Sequence, residues 1–504
     1  MSFVQNVPFI TIMLSMFSGI ASSMLKEKAA KWVNTVMITV CGGLTGWLLI
    51  YLCKSGIGSY TYMMGHFPAP WGNELRVGIL EAGMALFFCV IMLLSLIGGR
   101  KKLLEEVEYT KHNIYYILTN LMLSSLFALV YTNDLFTAYV FVEINTISAC
   151  GLIMIRQNGR TIEAAVRYMI MSLLGSGLLL MGLCMLYDLT GHLLMSNIQQ
   201  KVAEVMAEGT YRIPLLISIG IMTVGLAIKS ALFPFHSWLP DAYGYSTISS
   251  AAILSSLVSK GYIFLLIKIF YRVIGFEHIA GSHILNILFV FGLCGMIFGS
   301  VSAIWENDIR RMIAFSSVAQ IGYIYMGFGL GTESGMVASI FHILVHAATK
   351  SLLFISAIGL TDSSKFSRHF LDLTGSGYRN KIAGIGFAVG SFSMVGIPMF
   401  SGFVSKLLFA EAAVIVPNWR MFPTLIVLAI STVLNAIYFL KTVIRIYAPI
   451  PAGKEEQEGY TRVHCRDQKV YTAAIILFIV VNLVLGLTSQ PIIQLINEGL
   501  GQFS

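Results

Sequence analysis

The feature that most constrains this chain is a succession of apolar stretches, each long enough to cross a bilayer. A transmembrane helix needs about 20 mostly apolar residues. Such stretches lie near 7–24, 33–53, 77–98, 114–131, 135–155, 163–188, 213–235, 246–271, 283–304, 312–330, 336–360, 382–413, 423–444 and 471–488. Hydrophobic residues make up 56% of the 504 and charged residues only 12%, against about 25% charged in a soluble protein. So few charges cannot cover a soluble fold of this length, so a soluble enzyme and a disordered chain are both excluded. The expected fold is an all-α polytopic membrane protein with about 14 transmembrane helices.

The charges that remain are sorted by side. With both termini outside, 20 of the 33 Lys and Arg fall in cytoplasmic segments. Six fall in outside segments: Lys54, Arg76, Lys201, Arg212, Arg272 and Arg420. That asymmetry is the positive-inside pattern of a multi-pass protein of a cell (inner or plasma) membrane. It also accounts for the net charge of +8 without a nucleic-acid partner. The start of the chain has no basic region before its first apolar run, so no cleaved signal peptide is expected. The seven Cys form no C-x-x-C pair, and neither a Walker A motif nor a G-x-G-x-x-G is present. No metal, redox cofactor or nucleotide is therefore expected on this chain. The loop 54–76, with Tyr60, Tyr62, Trp71 and two prolines, reads as an interfacial cap. The polar stretch 448–470 reads as a cytoplasmic loop before the last helix.

A repeat shows in the punctuation. Phe233-Pro234-Phe235 interrupts the seventh stretch and Gly396-Ile397-Pro398 the twelfth. Each is fourth in a block of five. An odd number of helices per block inverts successive blocks, and broken helices at matching places of inverted repeats point to an ion site. The expected divisions are 1–112 (three helices), 113–280 and 281–447 (two inverted repeats), and 448–504 (loop and last helix).

Charges at membrane depth are costly, about 2.5–3.5 kcal/mol for Lys, Arg or Asp at a helix centre, so each demands a reason. Glu143 lies more than two turns inside the fifth stretch, where a basic partner would keep it ionised. Lys229 sits one turn before Pro234 and is its natural partner. Lys260 shares its helix with Ser255, Ser256 and Ser259, hydroxyls suited to a hydrated path. His342, His346 and Lys350 are spaced four apart and line one helix face. Two His at that spacing also suit zinc, but without the HExxH pattern a proton relay is the better reading. Lys406 follows the second break and mirrors Lys229 by repeat position. Lys268 and Lys441 are expected to snorkel to the interfaces, Glu81 to be structural near the outer interface, and Asp134 and Asp188 to be solvated at span edges. Basic groups in sequence, with one carboxylate at their head, suit protons better than bound Na⁺, which prefers oxygens.

These residues fall in recognisable stretches. Asn133-Asp134-Leu135-Phe136-Thr137-Ala138-Tyr139-Val140-Phe141-Val142-Glu143, Lys229-Ser230-Ala231-Leu232-Phe233-Pro234-Phe235-His236-Ser237-Trp238-Leu239-Pro240-Asp241-Ala242, the run Asp308 to Tyr323, and Gly396-Ile397-Pro398 through Lys406 resemble the antiporter-like proton-channel subunits of respiratory complex I. The resemblance extends to the D-type subunits of Mrp-type Na⁺/H⁺ antiporters and to membrane-bound hydrogenase subunits. It is strong over about 115–445. It implies a fourteen-helix inverted repeat, with Glu143–Lys229 as input pair, Lys260 as central relay, the His342–Lys350 helix as bridge and Lys406 as exit group. Pro234 and Pro398 would support the two breaks.

Two departures stand out. Glu163-Ala164-Ala165-Val166-Arg167-Tyr168 has Arg where the family motif has Lys; Arg167 does not readily lose its proton and is expected to tune Glu143 as a fixed charge. After Ala242 the family continues with His and an A-P-T-P stretch, and this chain has Tyr243-Gly244-Tyr245-Ser246-Thr247-Ile248-Ser249. The chain is also expected to lack the long lateral helix of the largest complex I subunit of this kind. The resemblance implies a proton-conducting subunit of a redox-driven pump, or a subunit of a cation/proton antiporter without redox chemistry; a non-conducting spacer is the third reading. In each, the partners are other membrane subunits, the bilayer and protons, with Na⁺ an open alternative.

Overall fold

In a computed structural model, residues 3–67, 72–415, 418–449 and 462–503 are described. The chain is a multi-pass helical membrane protein. Among the described residues, thirteen helices are long and apolar enough to cross a membrane. The helices used below are α1 (Val7–Met24), α2 (Glu27–Ser55), α3 (Ile79–Glu106), α4 (His112–Tyr131), α5 (Leu135–Met154), α6 (Gly159–Thr190), α7 (Met195–Glu208), α8 (Arg212–Lys229), α9 (Leu239–Tyr245) and α10 (Ile248–Ile274). They continue as α11 (His283–Trp305), α12 (Ile309–Gly329), α13 (Glu333–Asp362), α14 (Lys381–Val395), α15 (Ser401–Ile415), α16 (Met421–Ile446), α17 (Lys469–Leu487) and α18 (Ser489–Gly501).

The stretch 382–413 is not one helix. It is α14 and α15, 15 residues each, and each is about 22 Å long at 1.5 Å per residue, too short to cross about 30 Å of hydrocarbon alone. The other break follows Lys229, the last residue of α8, and the chain resumes in the short turn Phe235–Trp238 and in α9. Both breaks hold a non-glycine residue in the left-handed region, Ala231 (φ 62°) and Met399 (φ 79°). Such a residue costs about 1–3 kcal/mol and persists only where its surroundings hold it. At the second break they do: a Cβ on Gly402 would overlap the Ser393 carbonyl oxygen, so α15 can start against the end of α14 only with glycine there.

The centre of the bundle is deeply buried. α10 is wholly buried over its apolar length, and α13 nearly so. α13 packs against α3, α10, α12, α14, α15, α17 and α18. Small residues bring backbones close elsewhere; a Cβ on Gly322 of α12 would lie 2.7 Å from the Gly292 carbonyl oxygen of α11, the close approach typical of membrane helix pairs.

The loop 54–76 contains one strand of an antiparallel ribbon, β1 (Ser59–Met63) paired with β2 (Glu74–Gly78). Its Trp71 and two prolines lie outside the described residues, as does much of the stretch 448–470. α7 is a short amphipathic helix that packs on the last turn of α10 with Ile198 and Val202 buried.

Candidate functional site

Glu143 projects from the middle of α5, and Lys229 from the end of α8. Lys229 Nζ lies 3.9 Å from Glu143 Oε1. Its closer contact is a hydrogen bond donated to Thr146 Oγ1 at 2.7 Å. Glu143 Oε1 has no hydrogen-bond partner among the described residues and its side chain is 25% exposed, whereas that of Lys229 is fully buried. The ammonium therefore sits between two acceptors and is closed onto the neutral one. Thr146 also contacts the Tyr262 hydroxyl at 3.3 Å, and Tyr262 donates to Asn145 Oδ1 at 3.1 Å. This carries the polar cluster from α5 to α10, the helix of Lys260. Sequence reasoning did not single out Thr146 or Tyr262; Thr146 lies one turn after Glu143 on the same face, and that spacing was the only signal for it.

Lys260 is fully buried. It donates to the Ser255 carbonyl, with Ser259 Oγ at 3.2 Å. A π-helical turn over Leu254–Val258 precedes it, and such bulges leave backbone carbonyls off the regular ladder. The hydroxyls of Ser255 and Ser256 are engaged with the Ala252 carbonyl, so on this helix the lysine is held by the backbone and by Ser259 rather than by all three serines.

α13 carries His342, His346 and Lys350. His342 and His346 stack with ring centroids 6.2 Å apart. His342 Nδ1 shares a hydrogen bond of 2.6 Å with Ser405 Oγ on α15. Both ring nitrogens of His346 lack a protein partner among the described residues. Lys260 and Lys350 are the lysines within electrostatic reach of His346. Lys350 donates to the Ile313 carbonyl at 2.9 Å and to Ser316 Oγ, both on α12. No group of three or more His, Cys, Asp or Glu that could hold a metal ion occurs among the described residues.

Lys406 lies on α15, one turn beyond the second break, and donates to the Val395 carbonyl at 2.7 Å and to Thr432 Oγ1 at 3.1 Å. It thus holds a carbonyl freed at the end of α14. Lys229 ends the half-helix before its break and Lys406 follows its own, so the two lysines stand on opposite sides of their interruptions. Lys406 is within electrostatic reach of His342. Lys260, His346, Lys350 and His342 thus lie within electrostatic reach of one another across α10 and α13, with Lys406 of α15 joined through His342, and the Glu143–Lys229 pair reaches α10 through Thr146 and Tyr262.

Four charged residues stand elsewhere than expected. Arg167 does not face Glu143. It is 55% exposed and pairs with Glu163 (2.6 Å) and Asp241 (2.7 Å), tying α6 to α9, while Arg311 of α12 takes the other oxygen of Asp241. Lys268 does not snorkel; it is fully buried and donates to the carbonyls of Leu129 (3.2 Å), Val130 (3.0 Å) and Thr132, closing the end of α4. Arg272 lies not in a loop but in the last turn of α10, buried against Glu81, 1% exposed each, with the Phe503 ring 4.0 Å from the guanidinium. Arg420 is 8% exposed and bonds the Leu330 carbonyl at 2.8 Å. Asp134 caps α5 through the Thr137 amide at 2.6 Å. Segments that read as loops fold back between helices, where the apolar runs alone cannot place them.

A helical membrane bundle with two broken helices and a run of buried cations defines the antiporter-like class of membrane proteins. The chain belongs to the family described as NADH:quinone oxidoreductase/Mrp antiporter, TM, which matches residues 132–434. Over 499 residues it is 28% identical to the N-type subunit of the NADH-quinone oxidoreductase of Desulforudis audaxviator, covering 97% of each chain. It is 26% identical to the D-type subunit of the Na⁺/H⁺ antiporter of Alkalihalophilus pseudofirmus, covering 86% of this chain and 83% of that one. The fold is shared with a chain of the Mrp complex from a Dietzia species (TM-score 0.87, 21% identity, 99% of this chain and 97% of that one). It is shared equally with a chain of the membrane-bound sulfane sulfur reductase, an archaeal respiratory membrane complex (TM-score 0.87, 22% identity, 99% and 97%).

Proposed function

We propose that this chain conducts protons along Glu143, Lys229, Lys260, His346, Lys350, His342 and Lys406 as a membrane subunit of a multisubunit redox-driven pump of the complex I or membrane-bound hydrogenase type. The observation that carries the reading is the pair of acceptors around Lys229. Its ammonium bonds Thr146 at 2.7 Å with Glu143 waiting at 3.9 Å. Closing onto Glu143 stabilises both charges; opening toward Thr146 frees the proton of one or the other to move on. His346, with two ring nitrogens unpartnered among the described residues, can take a proton on one side and release it on the other.

The relatives support assembly with other membrane subunits, and the electron-transfer chemistry would reside on those partners. The inverted repeats 113–280 and 281–447 would place the two breaks at matching depths, one feeding the run and one draining it. The basic ends of the helices would face the cytoplasm and both termini the outside of the plasma membrane. A second reading, a D-type component of an Mrp-type cation/proton antiporter without redox chemistry, is favoured by the Na⁺/H⁺ antiporter relative and the Mrp fold.

The test is proton uptake into proteoliposomes holding the whole complex. Glu143→Gln and Lys229→Ala should each abolish uptake while the complex assembles; wild-type uptake in both overturns the assignment. Mass spectrometry and iron and nickel analysis of the co-purified complex then separate the parents. Iron–sulfur or nickel–iron partners support the redox pump, and a metal-free set of small membrane proteins supports the antiporter.

A further inference from the structure

On the face predicted from the basic loops to be cytoplasmic, a cavity of about 570 Å³ opens between the start of α6, the end of α9, the start of α12 and the segment after α13. Arg156, Arg160, Arg368, His369, Tyr245 and Asp308 line it. We infer that this cavity binds the phosphate headgroup of an anionic phospholipid.

The charge inventory favours an anion. Arg310, in the first turn of α12, is fully buried and within electrostatic reach of both Arg156 and Arg368. Its Nη2 donates to the Ser246 carbonyl, while Nε and Nη1 have no hydrogen-bond partner among the described residues. Among the described residues, three guanidiniums line the cavity against one carboxylate, Asp308. Asp308 is engaged as the cap of α12, where its Oδ1 accepts from the amides of Arg310 (2.7 Å) and Arg311 (3.3 Å). Glu106 stands 4.0 Å from Arg156. The N-terminus of one long helix, α6, capped by the neutral Asn158, opens at the cavity, and its dipole adds to the positive potential. Burial holds the Arg368 guanidinium below the usual arginine range, the Asp308 charge opposing, and a bound anion would relieve that cost. Planar guanidiniums suit phosphate in bidentate geometry.

A lipid rather than a free ion is indicated by what surrounds the cavity. Phe366, which also lines it, is 66% exposed. Along the helix that starts at the cavity, Ile162, Val166 and Ile170 are exposed in steps of four, an apolar stripe along which acyl chains can lie. Basic pockets between helices on the positive side of a membrane protein are where anionic headgroups bind. The site would also be mechanically placed. Arg368 donates to the Gly244 carbonyl at 3.1 Å, and its own carbonyl accepts from the Ile309 amide at 3.1 Å. A headgroup there ties the end of α9, the start of α12 and the segment leaving α13, the helix of His342, His346 and Lys350. The inference concerns binding and does not depend on the proton reading.

The experiment is native mass spectrometry of the intact complex, delipidated in mild detergent and given phosphatidylglycerol, cardiolipin or phosphatidylcholine. Phosphatidylglycerol or cardiolipin should be retained at the site and phosphatidylcholine should not. Arg160→Gln, an exposed change, should weaken retention several-fold, and Arg160→Gln with Arg368→Gln at least tenfold. Millimolar inorganic phosphate should not displace the lipid. Equal retention of phosphatidylcholine, unchanged retention in the variants, or full displacement by phosphate would each overturn the proposal. If the double variant fails to assemble, the Arg160→Gln result decides alone.

Discussion

Replacing Thr146 by Val tests the balance at Lys229. Valine keeps the shape of threonine but loses the hydroxyl that takes the ammonium at 2.7 Å. A hydrogen bond to a charged group contributes about 1.5–3 kcal/mol. Without it the open position loses that much, and the flexible lysine closes the remaining distance to Glu143, 3.9 Å away in the wild type. At 1.36 kcal/mol per tenfold, the closed pair becomes about 10- to 100-fold more populated, and any turnover that passes through the open position slows in proportion. Thr146→Ser keeps the hydroxyl and should transport close to wild type. The assay is proton uptake into proteoliposomes holding the assembled complex, followed with a pH-sensitive dye. Wild-type rates in Thr146→Val, with the complex intact, would refute the two-acceptor argument.

Two further outcomes are expected. Glu81→Ala leaves Arg272 buried without its carboxylate and should destabilise the protein by about 3–5 kcal/mol, while Glu81→Leu with Arg272→Met should recover most of that; thermal unfolding in detergent reads the difference, and equal losses in both would contradict a paired origin. Arg167→Ala, at an exposed pair, should cost no more than about 1 kcal/mol and leave proton uptake near wild type; abolished uptake would restore Arg167 to a role at Glu143.

The long helices were legible because membrane burial demands apolar length, and both breaks were legible because Pro and Gly interrupt it. Glu143, Lys229, Lys260, the α13 triad and Lys406 could be marked from depth alone, since a charge there is costly wherever its partners lie. What depth alone cannot tell is where a long side chain goes. Lys268 was expected at the interface, and the structure turns it inward to three carbonyls at the end of α4. Arg167 finds Asp241, 74 positions away in the chain, rather than Glu143. Thr146 carried no charge to draw attention, though its hydroxyl is the nearest group to the Lys229 ammonium. Glu81 and Arg272 each sit at the end of an apolar run, and only the fold, which brings the start of α3 to the end of α10, makes them a buried pair.

The most direct test of the central claim compares two lysines of one helix. Lys260 and Lys268 are both fully buried on α10. Lys268 holds the end of α4 through three carbonyls, whereas the hydrogen bonds of Lys260 among the described residues stay within its own helix. Proton uptake per assembled complex should vanish in Lys260→Met. Lys268→Met should lower the yield of complex but leave uptake per complex near wild type. Wild-type uptake in an intact Lys260→Met complex would contradict conduction along the buried basic groups.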